Sequence, residues 1–369
     1  MRRKRVLRLI YACFFLGAFL GLIFGLAFGQ NNGSGTLKLV EGGSASADSP
    51  QTTVAVDTAA GQVMTPERAK LIGANEMGLV LVIVYNKISS ETSDSTTRTP
   101  DQLRGELALL DSEGFYPINV SDLVTGDIDI PAGKFPVAIT FDGSSPGQYR
   151  ILDDGTIDPS CAVGVMQNLI DGGYWHPKAT FFCLLDVVPN ENEVFGQRER
   201  QKEKLRNLVD WGYEVGSNTM TNLDLSSAPD DSIRSQLANS QIMLQELIGS
   251  DYAVSSLALP YGRFPKATAL LSSGTWQDGT TARPYQYTAA VGHGETPCPS
   301  PFSTNFQPMH IPRIASAGEN LSAAIDALKN RPELLYISDG DPTAVSAPAT
   351  LDSSLGQPRD NLGRPVIRY

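Results

Sequence analysis

Residues able to do chemistry gather where short apolar runs end. Asp142 closes Val137-Ala138-Ile139-Thr140-Phe141, Ser217 to Asn222 follow Glu214-Val215-Gly216, and Tyr261-Gly262 follow Leu259-Pro260. Strand C-termini carry the active face of an α/β barrel, so these are the positions to test for chemistry. A carboxylate there can serve as a general base, or as one of two carboxylates acting on a glycosidic or ester bond. Partners for Asp142 would be Glu214, Asp224, Asp339 or Asp341, provided two carboxyls face one pocket. No local spacing enforces that arrangement. Ser338-Asp339-Gly340-Asp341 also reads as a turn and Asp224 as a helix cap. The chain holds three histidines, His176, His293 and His310, and no C-x-x-C motif. Cys13 lies in an apolar run, and Cys161, Cys183 and Cys298 cannot all pair with one another. One disulfide plus a free thiol is one reading; Cys183, within Thr180-Phe181-Phe182-Cys183-Leu184-Leu185, also reads as a buried strand thiol.

These residues need strands and helices to position them. Strands are expected at Leu79–Tyr85, Pro136–Phe141, Ala179–Leu185, Tyr213–Gly216, Leu257–Pro260, Tyr287–Val291 and Leu334–Ser338. Helices are expected between them, for example from Thr99-Pro100-Asp101 into Leu103, Leu107 and Leu110, and from Pro229-Asp230 into Ile233, Leu237, Leu244 and Leu247. Strands alternating with helices imply a mostly parallel sheet, here a barrel-like α/β domain.

The 369 residues, 41% hydrophobic and 19% charged, exclude a collagen, a coiled coil and wholesale disorder. A net charge of −11 argues against a nucleic-acid partner that needs a basic face. Arg2, Arg3, Lys4, Arg5 and Arg8 hold five positives at the N-terminus; without them 24 basic residues face 40 acidic ones, a net of −16. That tip runs into Leu9 to Phe28, twenty residues without a charge. At about 1.5 Å per residue such a run crosses a hydrocarbon core of about 30 Å. The positives belong in the cytoplasm and the rest outside the membrane. An uncleaved single-pass anchor is expected, the alternative being secretion after signal cleavage at Ala27-Phe28-Gly29. Gly17, Gly21, Gly25 and Gly29 share one helix face, which would let a second copy approach closely; glycine is also common in such helices. The expected organisation is a basic tip and anchor over 1–29, a Gly/Ser/Ala/Thr-rich linker over 30–75, a folded domain over 76–345 and a C-terminal tail over 346–369.

The order of segments resembles the polysaccharide deacetylase (NodB-homology, carbohydrate esterase) family over roughly residues 79–340. Leu79 to Ile88 resembles its opening strand ending in Tyr-His, and Thr99 to Val124, with Gly114-Phe115-Tyr116-Pro117, the helix and turn before its first motif. Thr140-Phe141-Asp142 resembles T-F-D-D-G, and Ala179-Thr180-Phe181-Phe182 resembles A-T-F-F. Leu208 to Leu225, containing Ser217-Asn218-Thr219-Met220-Thr221-Asn222, resembles the H-T-x-T-H segment. Leu259-Pro260-Tyr261-Gly262 is similar to P-Y-G and Pro312-Arg313-Ile314 to a late Arg-Ile element. The fold the resemblance implies is α/β, a distorted (β/α) barrel, here preceded by one transmembrane helix.

The chemistry it implies is removal of an N-acetyl group. A divalent metal on one Asp and two His polarises the carbonyl and activates water, a second Asp is the base, and a late His protonates the amine. Here Asp142 occupies the place of the base, while Gly143 stands at the metal-binding Asp and Asn218 and Asn222 at both histidines. Asn86 replaces the opening His, Ala258 falls where many members carry Arg, and Leu334-Leu335-Tyr336 lacks the catalytic His. A carboxamide is a weak donor beside imidazole and glycine offers none, so the family metal is expected to be lost and no cofactor is expected. A rescued site would have to use His176, His293 or His310. The expectation is a membrane-anchored pseudoenzyme that binds or scaffolds a polysaccharide or oligosaccharide of the envelope. Tyr85, Asn86, Asn218, Asn222, Tyr261 and Arg313 would line its groove, since amides and aromatic rings suit sugar hydroxyls and ring faces. The alternative is an active carbohydrate hydrolase, either a deacetylase with substitute ligands or a metal-independent enzyme built on Asp142.

Overall fold

Seven parallel strands close into a barrel, and an eighth hangs from its rim. The computed structural model describes residues 63–91 and 94–369. Its barrel strands in chain order are β1 (Leu81–Tyr85), β2 (Phe115–Ile118), β3 (Phe135–Asp142), β4 (Thr180–Cys183), β5 (Glu214–Ser217), β6 (Ser256–Ala258), β7 (Ala289–His293) and β8 (Ile311–Ala315). Neighbours run β1, β8, β7, β6, β5, β4, β3, and β3 pairs back onto β1, every pairing being parallel. The helices are α1 (Pro66–Ile72), α2 (Pro100–Ser112), α3 (Val120–Thr125), α4 (Ala162–Asp171), α5 (Gln201–Asp210), α6 (Asp230–Ile248) and α7 (Asn320–Lys329).

Helices outside and side chains inside bury both faces of the strands, which therefore read as continuous apolar runs. Val80, Val82, Ala138, Phe182, Val291 and Ile311 pack together in the barrel interior. Their alternates Leu81, Ile83, Tyr85, Val137, Ile139, Phe141 and Phe181 join Leu103, Leu107 and Leu110 of α2 and Leu237 and Leu244 of α6 in the layer beneath the helices. The start of α2 follows from its sequence: the Thr99 hydroxyl accepts from Gln102 N–H, the Gln102 side chain accepts from Thr99 N–H, and Pro100 opens the helix.

The barrel floor, at the strand N-termini, contains a split that a helix fills. One edge of β3 pairs with β1 over residues 137–141, and the other is shared between β2 over 135–138 and β4 over 140–142. The first turn of α3 enters between β2 and β4. Val120 N–H donates to Thr180 Oγ1 at 3.0 Å and Ser121 N–H to Glu214 Oε2 at 2.8 Å, while the Thr180 hydroxyl donates to the same Oε2 at 3.0 Å. Glu214 and Thr180 thus each satisfy one helix N–H that has no partner within the helix. Burial holds its pKa above the ordinary glutamate range.

Two of the expected boundaries move. Residues 64–75, assigned to the linker by composition, contain α1, capped by Thr65 and ended by Gly73 in the left-handed region. The tail expected over 346–369 is folded back: Val345–Ala347 pairs with Val366–Arg368, and the Tyr369 hydroxyl donates to Ala74 O at 2.8 Å. Met64, Ala69, Ala74 and Ala344 form the small apolar cluster that unites these ends. Beneath it Glu76 is buried, accepting from the Tyr336 hydroxyl at 3.3 Å and from Ser346 N–H at 2.8 Å, with the Ser346 hydroxyl bound to Asp339 at 2.6 Å.

The seventh expected strand, Leu334–Ser338, instead makes isolated bridges at the floor, Leu79 with Leu335 and Asn75 with Ile337. Its place in the barrel is taken by β8. Cys161, Cys183 and Cys298 are buried free thiols. The expected anchor over Leu9–Phe28, its glycine face and Cys13 lie outside the described residues. Among the described residues no helix is long and apolar enough to cross a membrane.

Candidate functional site

At the C-terminal end of the barrel, Asp142 and Arg313 meet from strands far apart in sequence. Asp142 shares the inward parity of Ala138 and Thr140 on β3, and Arg313 that of Ile311 on β8. The pair is bidentate, with Nη1 on Oδ1 at 2.6 Å and Nη2 on Oδ2 at 2.7 Å. Nη1 also donates to Thr140 Oγ1 at 3.0 Å and Nε to Gly292 O at 3.4 Å. The guanidinium lies 5.7 Å from the Phe182 ring centroid. Arg313 is fully buried and the Asp142 side chain is 11% exposed, so the fork matches the carboxylate with little competition from water.

Gln148, absent from the sequence expectations, braces the same site. Its amide donates to Asn86 O at 2.5 Å and Asp142 O at 2.6 Å, tying the ends of β1 and β3 together. No sequence motif announces it.

The expected groove residues divide. Tyr85 does not line the mouth: strand alternation turns it outward, where it stacks on Phe141 at 5.4 Å and donates to Glu106 Oε2 at 2.9 Å. Arg313 is the buried clamp rather than a groove wall. Asn218 is buried, with Nδ2 donating to Ala258 O at 3.0 Å. Asn86 and Asn222 are partly exposed and Tyr261 is exposed at the rim. Thr219, Asn222 and Tyr261 all have positive φ, between 57° and 69°, a conformation that non-glycine residues adopt at a cost. Such strain gathers at functional loops. The Gln236 side chain holds the first of these loops by accepting from Met220 and Thr221 N–H, each at 3.0 Å.

Of the histidines, His293 ends β7 and packs over Gly262. A Cβ at Gly262 would lie 2.2 Å from the imidazole Cγ, and the φ of +65° independently favours glycine. Burial, then the Arg313 charge, lower the His293 pKa against the opposing pull of Asp142. His310 stacks on Phe264 at 3.8 Å, and His176 stacks on Tyr116 at 4.3 Å before β4 begins.

No second acid joins Asp142. Glu214 caps α3 at the floor, and Asp339 is buried there beside Glu76, its Oδ1 accepting Asp341 N–H at 2.7 Å. The carboxylate of Asp341 binds Thr343, while Asp224 binds Ser226 and pairs with Arg263 at 2.8 Å. The paired-carboxylate arrangement is therefore not formed. The donor set at the matching positions does not fit a divalent metal either: both Asp142 oxygens are engaged by Arg313, Gly143 has no side chain, and Asn218 and Asn222 are amides. Among the described residues no group of three or more His, Cys, Asp or Glu is arranged to hold a metal ion.

A family model described as polysaccharide deacetylase matches residues 130–274. Among solved structures, a polysaccharide deacetylase from Bacillus cereus is similar at 18% identity and a TM-score of 0.50, covering 67% of this chain and 69% of that one. A Streptococcus pyogenes deacetylase in complex with acetate is similar at 18% identity and a TM-score of 0.47, covering 67% of this chain and 98% of that one. A CE4 family pseudoenzyme from Bacillus anthracis is similar at 24% identity and a TM-score of 0.21, covering 28% and 31%. No curated protein sequence matches. At such identities the structural likeness is one of fold. The matched residues 130–274 hold Asp142, Asn218, Asn222 and Tyr261.

Proposed function

We propose that this chain is a non-catalytic member of its family, binding or scaffolding a polysaccharide of the cell envelope. The observation that carries the reading is the Asp142–Arg313 clamp. The guanidinium engages one lone pair on each Asp142 oxygen, at 2.6 and 2.7 Å, so a buried cation already holds both oxygens where a base or a metal ligand would act. The apolar run at Leu9–Phe28, with its preceding basic tip, supports an anchor that leaves the domain outside the membrane. The glycine face of that run supports pairing of two copies.

The test is elemental analysis of the purified full-length chain together with acetate release from an acetylated chito-oligosaccharide. Less than stoichiometric divalent metal and no acetate are expected. Tight stoichiometric metal with acetate release would overturn the reading and direct attention to His293 and His310.

A further inference from the structure

We propose that the cleft between the loops leaving β1, β3 and β4 binds a neutral hexopyranose unit of a polysaccharide. The inference rests on the glycan-binding reading and moves the contact from the barrel axis to its flank. The cleft has a volume of about 470 Å³, inside the range of about 300–1,000 Å³ common for small-ligand sites. On the axis, Arg313 presents no surface and Asp142 little.

The lining supplies what a pyranose asks for. Ser145 lines the cleft, and its Oγ is buried just beneath the surface without a hydrogen-bond partner. Lys87 and Arg150 are exposed donors in the cleft, and Glu191 and Asn192 supply acceptors opposite. Hydroxyls both donate and accept, so this mixture suits them. Ile88 and Pro146 offer apolar surface to the C–H face of a ring. With Asp158 also in the wall, two cations meet two carboxylates, and the strongly acidic body around them repels a polyanion.

The walls are fixed before any ligand arrives. The loop at Gly147 presses so closely on Ile88 that a Cβ there would lie 1.8 Å from the Ile88 carbonyl oxygen. The buried Lys204 ammonium donates to Tyr149 O at 3.1 Å and Phe195 O at 2.8 Å, tying the loop after β3 to the loop after β4. A preformed site loses less freedom on binding.

The test is titration calorimetry of the full-length chain in detergent, with tetra-N-acetylchitotetraose (hereafter chitotetraose) as the neutral probe and tetragalacturonate as the anionic one. Ser145→Trp fills the cleft, and Lys87→Ala with Arg150→Ala removes two exposed donors without touching the core. Both variants are expected to weaken chitotetraose binding at least about tenfold, the equivalent of about 1.4 kcal/mol. Wild-type affinity in both, with binding lost in Tyr261→Ala, would overturn the cleft and leave glycan binding at the mouth. Tighter binding of tetragalacturonate would overturn the neutral class. No binding of either probe by the wild-type chain would overturn the glycan reading itself, and the cleft with it.

Discussion

Both ends of the barrel bury carboxylates, and they do so in opposite ways. At the mouth Asp142 faces a guanidinium, charge against charge. At the floor Glu214 accepts from Ser121 N–H and the Thr180 hydroxyl, and Glu76 accepts from N–H groups and the Tyr336 hydroxyl. The floor acids are left with raised pKa values, burial being the main cause for each and Asp339 adding to it for Glu76. Hydrogen bonds without a counter-ion leave a buried acid poised to take up a proton. Glu76 and Glu214, whose protonation burial shifts, thus lie at the floor, where they fasten α3 and the C-terminal strands.

The largest test of this contrast is Arg313→Ala. Removing one partner strands a buried charge, and a loss of about 3–5 kcal/mol in chemical denaturation is expected. Joint replacement, Asp142→Leu with Arg313→Met, should recover much of it. A loss below 1 kcal/mol in the single variant, on the order of a surface pair, would mean the clamp is open to water. Next in size, Glu214→Ala should cost about 1.5–3 kcal/mol, because the first turn of α3 loses its acceptor.

The pH dependence sharpens the same contrast. Glu76 and Glu214 have folded pKa values above the ordinary 4.5, so the folded chain holds their protons more tightly than the unfolded chain. Their contribution is full below that value and declines as pH rises through the raised folded values, by up to about 1.4 kcal/mol per pH unit for each group. Glu214→Gln should flatten its share of that decline, as read from stability curves between pH 4 and pH 8; parallel curves for variant and wild type would refute it.

At the rim, Gly262→Ala should cost about 1–2 kcal/mol for its left-handed backbone alone. It should also push the His293 ring outward and raise its pKa towards the ordinary 6.5, measurable by NMR titration. The smallest effect belongs to Thr99→Ala, at about 1 kcal/mol of thermal stability for the lost cap.

Much of this fold was legible because β1, β3 and β4 are built around apolar stretches such as Leu81–Tyr85 and Phe181–Phe182. The two strands of the main sheet that the sequence did not suggest, β2 and β8, carry proline inside a short run, where it lacks the N–H of a ladder, whereas Pro136 only opens β3. Their positions accommodate it: β2, with Pro117, pairs only with β3, and Pro312 in β8 precedes Ile314 and Ala315, the residues that pair with β1. The run at Leu334–Ser338 misleads for the converse reason, since a short apolar segment can as well be a floor plug as a strand. In the site, the position of Asp142 was legible from the run that precedes it. Its partner was not, because 171 residues separate Arg313 from Asp142 and no local spacing records the contact. Tyr85 was placed on the wrong face because a strand apolar on both sides does not reveal which side is inward.

The ring closes through its first and last strands, β1 against β8. A chain emerging from a ribosome therefore carries one open edge of β1 through the synthesis of every intervening strand, and no partial product can complete the barrel. Contacts this distant in sequence slow folding, and an unpaired apolar strand is a template for association with other chains. The step most in need of a chaperone is thus the interval before residues 311–315 exist.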